Sequence, residues 1–193
     1  MKKAIAYITG VSPLSQSRYH DTPKLNKELA KDYEKRTWKN RLHVTEDGYV
    51  KIPAMAFKNC MAEIAKFLSL QIPGRGKQTY TKHFESGVLV VEDIPLPIHQ
   101  DNVIENWVHV PSDGVRGGKK RVMKCYPLIP SGWQGVVEFI IVDDTITEEV
   151  FLHHLKQAGQ LIGIGTFRVR NCGTFGRFKV EKMEWEEYGE AIA

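Results

Sequence analysis

The segment between residues 163 and 178 carries the residue types with the clearest chemical meaning in this sequence. It holds four glycines, three arginines and three phenylalanines in sixteen residues. Arginine binds phosphates, and a phenylalanine ring can stack on a base. Glycine permits positive φ and lets a bulky ligand approach the main chain. The composition therefore predicts a loop that binds a phosphate backbone through Gly163, Gly165, Arg168, Arg170, Gly173, Gly176 and Arg177.

The order of elements around this glycine-rich loop argues against a nucleotide cofactor. A dinucleotide-binding loop runs from a strand into a helix, whereas here a helical apolar pattern comes first. Arg168 stands where a third glycine would follow Gly163 and Gly165, and the sequence has no Gly-Lys-[Ser/Thr] P-loop. We therefore predict no cofactor. The composition leaves one alternative open, a turn with core phenylalanines and solvated arginines.

His20 and Asp21 are the loop residues with the clearest acid–base potential. Because they are adjacent in sequence, their side chains point in different directions. We therefore predict a non-catalytic protein and keep His20 and Asp21 as the candidates for any catalysis.

No residue pattern in the sequence indicates a metal site. His153 and His154 lack the i, i+4 spacing and the third ligand that zinc needs. The helical pattern places His154 nearer the polar side and His153 beside the apolar stripe. Asp143 and Asp144 resemble a magnesium pair, but their place before a helix favours a capping role.

The charges of the chain are nearly balanced overall and uneven locally. The sequence has 27 Lys and Arg against 23 Asp and Glu, a formal net charge of +4. Acidic residues gather at 143–149 and 181–190, whereas basic residues gather with glycines at 74–82, 114–124 and 165–179. This distribution predicts basic patches on an otherwise balanced surface.

The cysteines and the apolar runs indicate the compartment. Cys60, Cys125 and Cys172 lie far apart in the sequence, so we expect no disulfide framework and a reducing environment. No apolar run approaches the ~18 residues that a membrane span needs. The first residues also lack the apolar region of a signal peptide. We therefore expect a cytoplasmic protein without membrane contact.

Apolar residues at helical spacing predict two core helices. One follows Pro53, which suits a first helical position, and its buried face comprises Phe57, Met61, Ile64, Ala65 and Leu68. The other begins at a capping box of Thr145 and Glu148, and its buried face comprises Phe151, Leu155, Ala158 and Ile162. A third helix, over 24–38, is heavily charged and has a narrow stripe of Leu25, Leu29 and Tyr33.

Four apolar runs predict strands: 4–9, 87–92, 136–142 and 176–186. The second of these strands, 87–92, should be buried on both faces. The region 93–130 has the pattern of an inserted β-ribbon with a basic tip. The order is strand, helix, strand, ribbon, strand, helix, strand. It predicts an α+β fold with a ferredoxin-like (RRM-like) core and an inserted β-ribbon, as one domain over 1–193.

The chain resembles the RAMP superfamily, the ferredoxin-like proteins that form the RNA-holding subunits of CRISPR effector complexes. Their hallmark is a glycine-rich loop between the last helix and the last strand, the place that residues 158–177 occupy here. Tyr49-Val-Lys-Ile-Pro-Ala-Met-Ala-Phe-Lys-Asn-Cys60 is similar to the Ile-Pro-Gly-Ser-Ser-Leu-Lys-Gly entry to the first helix of the backbone subunits. Gly10-Val-Ser-Pro-Leu14 follows strand one in the corresponding place. The resemblance implies RNA binding, either in a CRISPR component or in a stand-alone relative encoded by a phage.

The resemblance also implies two alternatives to simple binding. Some RAMP backbone subunits cut RNA with an aspartate in the loop after strand one, where Asp21 lies, and RAMP processing nucleases use a histidine base, a role that His20 could take. An endoribonuclease therefore stays open. The other alternative is an interaction protein, such as a phage inhibitor that mimics or caps a host nucleoprotein complex.

Our interpretation is a protein that binds RNA or single-stranded DNA without catalysis and that self-associates along the strand. The loop after strand one, the start of the first core helix, the ribbon tip and the glycine-rich loop would line one basic groove. Outside the glycine-rich loop, the predicted ligands are Ser15, Gln16, Arg18, Lys58, Arg75, Lys77, Arg116, Lys119, Lys120 and Arg121.

Overall fold

The computed structural model describes residues 1–112 and 120–189, and within them it has nine strands and four α-helices. The strands are β1 (Lys2–Gly10), β2 (Leu14–Ser15), β3 (Tyr49–Ile52), β4 (Val88–Leu89), β5 (Ile94–His99), β6 (Ile104–Pro111), β7 (Arg121–Ile129), β8 (Gln134–Ile141) and β9 (Phe178–Glu187). The helices are α1 (Ala30–Thr37), α2 (Ala54–Leu68), α3 (Thr81–Gly87) and α4 (Glu148–Leu161). No helix in these ranges is long and apolar enough to cross a membrane.

Four strands form the central antiparallel sheet, in the spatial order β4–β8–β1–β9. Along the chain, β1, β4, β8 and β9 are the first, second, third and fourth strands of this sheet. The two crossovers, from β1 to β4 and from β8 to β9, contain α2 and α4. This is the β-α-β-β-α-β plan of a ferredoxin-like fold, so the predicted α+β class and its core are confirmed.

The helices α2 and α4 cover one face of the central sheet. Phe57 of α2 packs edge-on against Phe139 of β8 and Phe178 of β9, with ring centroids 6.3 and 5.5 Å apart. Both predicted apolar helix faces are buried, apart from Leu68, which is half-buried. Alternate residues of β1 complete this core from below, and those closest to the helices are Ala4, Ala6 and Ile8.

The two core helices begin slightly differently from the prediction. Pro53 is extended, with φ −57° and ψ 138°, and precedes the first helical residue of α2 instead of occupying that position. The predicted capping box at Thr145 is wrong, because Thr147 caps α4 by accepting a hydrogen bond from the Val150 N–H at 3.4 Å. Asp143 closes the preceding turn by accepting from the Thr145 N–H at 2.9 Å.

The charged segment and the second strand differ more from the prediction. The helix predicted over 24–38 is limited to α1, and Leu25 and Leu29 are 60 and 68 % exposed, so they form no core face. In the run 87–92, only β4 is a strand, and Val91 is 74 % exposed. The physical reason is that α3, which the sequence analysis missed, extends to Gly87 and leaves β4 as a short outer strand.

The inserted region divides into two strand pairs. A hairpin of β6 and β7 runs in register from Ile104–Leu128 to Pro111–Arg121, and β7 also pairs with β2 at Leu14 and Ser15. The preceding strand β5 pairs separately with β3. The hairpin therefore projects from the segment that follows β1. Two predicted ligands near its tip, Arg116 and Lys119, lie outside the described residues.

Candidate nucleic-acid interface

The segment after β1 and the glycine-rich loop are hydrogen-bonded to each other. The Thr166 N–H donates to the Ser15 carbonyl and the Gly176 N–H donates to the Pro13 carbonyl, both at 2.8 Å. The Arg177 N–H donates to the Ser12 hydroxyl at 2.9 Å. The structure thus brings together two segments that the sequence analysis placed on one surface.

The glycines of this loop make room for the chain's own backbone. Gly165 has φ +78°, and a Cβ there would lie 2.4 Å from the Ser15 carbonyl oxygen. Gly176 has φ +74°, and a Cβ there would lie 1.8 Å from the Ile164 carbonyl oxygen. Close packing within the loop and against β2 therefore requires glycine at both positions, and the predicted approach of a ligand stays a prediction. Gly163 and Gly173 likewise face backbone atoms of the loop.

Three predicted ligands are buried or hydrogen-bonded inside the protein. Gln16 is buried, its amide donates to the Lys51 carbonyl at 2.8 Å, and its carbonyl accepts from the His43 N–H at 2.8 Å. Ser15 is fully buried in β2, and its hydroxyl has no hydrogen-bond partner among the described residues. The Lys58 ammonium donates to the Glu85 and Val88 carbonyls at 2.6 and 2.9 Å. Gln16 and Lys58 therefore hold other segments of the fold, and the role of all three as ligands stays a prediction.

A groove opens beside the two bonded segments. It consists of two adjoining depressions of about 350 and 140 Å³, which share Ser17. We call this surface the loop groove and define it by Ser17, Arg18, Tyr19, His20, Arg41, His43, Lys124, Gly165 and Thr166. The residues that define it come from the segment after β1, the turn after α1, the ribbon strand β7 and the glycine-rich loop, and residues of α1, β3 and α2 complete its walls.

The loop groove has a positive electrostatic environment. Burial lowers the pKa of His20 and of His43, and a guanidinium group lowers it further, Arg41 for His20 and Arg18 for His43. The carboxylate of Glu34 partly offsets this charge, because it accepts two hydrogen bonds from Arg41 at 2.8 and 3.1 Å and lies 4.0 Å from the Lys124 ammonium. Two cations, Arg41 and Lys124, thus contact one buried carboxylate.

The acid–base candidates do not form a dyad with each other. The His20 ring stacks on Tyr33 with centroids 6.3 Å apart, and its Nδ1 lies 3.1 Å from the Thr22 hydroxyl. Asp21 is exposed, and no ion pair joins it to another described residue. The arrangement therefore offers His20 no carboxylate that would orient it as a base.

The other titratable pairs have structural positions. His154 is fully buried and its Nδ1 lies 2.7 Å from the Val150 carbonyl, whereas His153 is exposed, so their predicted sides are reversed. Asp143 also contacts His83, with Oδ2 2.6 Å from Nδ1. Burial alone would raise the pKa of Asp143, but hydrogen bonds from His83 and Thr145 bring it below its usual value. Among the described residues, no three His, Cys, Asp or Glu side chains could hold a metal ion.

The remaining basic residues have three kinds of environment. Arg168 and Arg170 both contact Glu63, at 2.8 and 3.3 Å. Arg75 donates to the Thr145 hydroxyl at 3.3 Å. The others are exposed, with no ion pair to another residue of the described ranges: Arg18, Lys77, Lys120, Arg121 and Arg177.

Sequence reasoning missed part of the loop groove. Tyr19, which is 85 % exposed, stands in the predicted loop and could have been chosen as a stacking residue. Arg41, His43 and Lys124 come from a turn and from the ribbon strand, and only the tertiary fold brings them beside Arg18 and Gly165. Of the three loop phenylalanines, Phe178 is core, while Phe167 packs against Tyr126 and Phe175.

Comparisons with known proteins identify the fold. No protein-family model and no curated protein matches this sequence. The crystal structure of Cmr6 from Pyrococcus furiosus matches at 15 % identity with a TM-score of 0.49, over 94 % of this chain and 98 % of that chain. A chain in the cryo-EM structure of the Type III-B Cmr-beta complex bound to cognate target RNA matches at 12 % identity with a TM-score of 0.55.

The Cmr-beta match covers 95 % of this chain and 60 % of that one, so this chain spans about three fifths of the length of that relative. At this identity the comparison shows the fold alone, and the Cmr-beta chain shares that fold with this protein.

Proposed function

We propose that this protein binds RNA, or another single-stranded nucleic acid, in the loop groove and serves as a subunit of an RNA-containing complex. The observation that carries the proposal is the grouping of Arg18, Arg41 and Lys124 around one groove, where the Arg18 N–H donates to the Arg41 carbonyl at 2.9 Å. Phosphate contacts from such cations supply most of the affinity in sequence-independent binding.

The form of the groove favours binding that tolerates any base sequence. Its cations come from loops and one strand, and within residues 1–112 and 120–189 no helix lines it with a row of basic side chains that could read base edges. Tyr19 offers an exposed ring on which any base can stack. RNA is the preferred ligand because the fold is shared with a chain of a complex whose structure contains target RNA.

Binding to a labelled single-stranded oligouridylate, followed by fluorescence anisotropy over a salt series, tests the proposal. Affinity should fall steeply as salt rises, because each neutralised phosphate releases counterion. Lys124→Gln should weaken binding about fivefold or more, since a charged hydrogen bond contributes about 1 kcal/mol or more. The matched control is Lys156→Gln, an exposed lysine of α4 outside the groove.

Two results would contradict the proposal. One is an affinity that stays constant over the salt series, and the other is an equal loss in the two lysine variants. Absence of any binding, combined with capture of an intact nucleoprotein complex, would favour the interaction protein instead. Cleavage of the RNA that His20→Ala abolishes would favour the endoribonuclease, for which the lowered pKa of His20, and hence its neutral form, is the supporting observation.

Self-association along the strand is the second part of the proposal. The β6–β7 ladder ends at Pro111 and Arg121, and Lys120 and Arg121 are exposed at its outer end. The ribbon thus carries positive charge away from the core, toward the next segment of a bound strand. Replacing 112–120 by a short glycine turn should abolish multimers on long strands without changing the melting temperature. Light scattering with oligonucleotides of increasing length measures this, and one protein per strand at every length would contradict it.

A further inference from the structure

One side of α2 leads from the loop groove to a further depression. Ala56 lines the smaller part of the groove, and the next residues on the same side, three or four positions apart, are Asn59, Glu63 and Phe67. These three line a depression of about 530 Å³ together with Arg170 of the glycine-rich loop. The loop therefore lies between two open surfaces, and Arg168 and Arg170 are on the side of the second.

Glu63 is the acidic residue that controls the charge of this second surface. One carboxylate oxygen lies 2.8 Å from an Arg168 nitrogen and the other lies 3.3 Å from Arg170 Nε. All three side chains remain partly exposed, with 28 % of Glu63, 22 % of Arg168 and 45 % of Arg170 accessible. A ligand phosphate can therefore reach the arginines that the carboxylate now holds.

The fold of the loop does not depend on these ion pairs. The Arg170 N–H donates to the Ile162 carbonyl at 3.1 Å, and the Gly173 N–H donates to the Arg168 carbonyl at 3.1 Å. The Arg170 guanidinium has another neighbour in the Phe67 ring, 5.5 Å from its centroid. When Arg170 leaves Glu63, it would thus keep its backbone position, and the Phe67 ring would remain beside its guanidinium group.

We propose that Glu63 is an electrostatic lock on the glycine-rich loop: in the free protein it neutralises Arg168 and Arg170, and phosphates of a bound strand replace it. The inference rests on the proposed function and adds a regulation of its strength. A phosphate that binds these two guanidinium groups must replace the Glu63 carboxylate. The free energy gained from each phosphate contact is therefore reduced by the free energy of the ion pair that is lost. Glu63 therefore keeps the resting affinity low.

The test compares two charge-neutralising variants in the same depression. Glu63→Gln frees both arginines, whereas Glu85→Gln removes the same formal charge from a residue that lines the depression and has no ion pair to a described residue. With the labelled oligouridylate, Glu63→Gln should bind about threefold to tenfold more tightly than wild type. Glu85→Gln should change the affinity by less than about twofold.

Salt dependence and a double variant give independent readouts. The slope of log affinity against log salt should become steeper by about one in Glu63→Gln, because the wild-type carboxylate takes up a cation when phosphate displaces it. Adding Arg168→Ala and Arg170→Ala to Glu63→Gln should remove the gain entirely.

The outcomes separate the lock from the proposed function. Weaker or unchanged binding by Glu63→Gln, while wild type binds, overturns the lock and leaves the proposed function standing. An equal gain in Glu85→Gln also overturns it, since general charge would explain both. If neither wild type nor Glu63→Gln binds at low salt, the proposed function itself fails and the lock fails with it. Binding by Glu63→Gln without any binding by wild type would support the lock, because the Glu63 carboxylate would then prevent binding in the wild-type protein.

Discussion

The open face of the central sheet and the loop groove contain similar residues in opposite electrostatic arrangements. On the strands of the sheet, Lys3 contacts Glu138 at 2.8 Å and Lys182 contacts Glu184 at 2.5 Å. In the loop groove, Arg41 and Lys124 share the carboxylate of Glu34 and Arg18 has no ion pair to a described residue, while burial and nearby guanidinium groups lower the pKa of His20 and of His43. The comparison indicates that a surface suited to anions is distinguished by how few acidic partners its cations have, and not by the number of its cations.

The largest expected effect is a loss of stability caused by a substitution that disrupts the glycine-rich loop itself. Gly176→Ala should reduce the free energy of unfolding by about 3 kcal/mol or more, because a Cβ would lie 1.8 Å from the Ile164 carbonyl oxygen at φ +74°. Urea unfolding measures this loss.

The matched control for that change is Gly74→Ala. Gly74 has a similar φ of +75° but nothing within 4 Å of an added Cβ, so its cost should be about 1 kcal/mol, from the backbone conformation alone. Equal losses of unfolding free energy at the two positions would show that the loop can move to accommodate the added Cβ. Its close packing against Ile164 would then not determine its shape.

Removing single cations sharpens the comparison between the two surfaces. Arg18→Ala should weaken binding to single strands by about 1–2 kcal/mol, and its melting temperature should hardly change because the side chain is exposed. Arg168→Ala and Arg170→Ala should weaken binding less than Arg18→Ala, since Glu63 already holds those two arginines. Lys182→Ala on the sheet should leave the affinity unchanged. Anisotropy and thermal unfolding measure the set, and a loss in Lys182→Ala as large as that in Arg18→Ala would remove the distinction between the surfaces.

The smallest expected effect is a pH dependence that only the groove should show. Cations and burial lower the pKa of His20 and His43 in the free protein, and a bound phosphate would raise both values again. Binding then takes up protons, so affinity should rise about twofold to threefold as the pH falls from about 8 to about 6. Anisotropy at constant ionic strength measures it, and the double variant His20→Gln, His43→Gln should lose the dependence. An unchanged dependence in that variant would place the titrating groups elsewhere.

The parts of the fold that the sequence predicted are those fixed by local periodicity. The faces of α2 and α4 follow from residues such as Phe57 and Phe151, whose spacing alone identifies a buried side. The run at 87–92 looked like a buried strand, but Gly87 packs against Asp143 and ends α3, a contact between distant segments. The loop groove depends on such contacts even more, because Arg41 and Lys124 reach it from separate elements.

The order of the central sheet also affects how copies of this protein meet at high concentration, because it leaves β9 as an outer strand. The outer edge of β9 runs along ten residues, and no strand of residues 1–112 or 120–189 pairs with it. Unpaired edges are templates for joining one sheet to another and hence for aggregation. Here the edge strand carries charged side chains along its length: Lys179, Glu181, Lys182, Glu184 and Glu186. Pairing of two such edges would desolvate these charges, so the charged side chains protect this edge against joining the sheet of another copy.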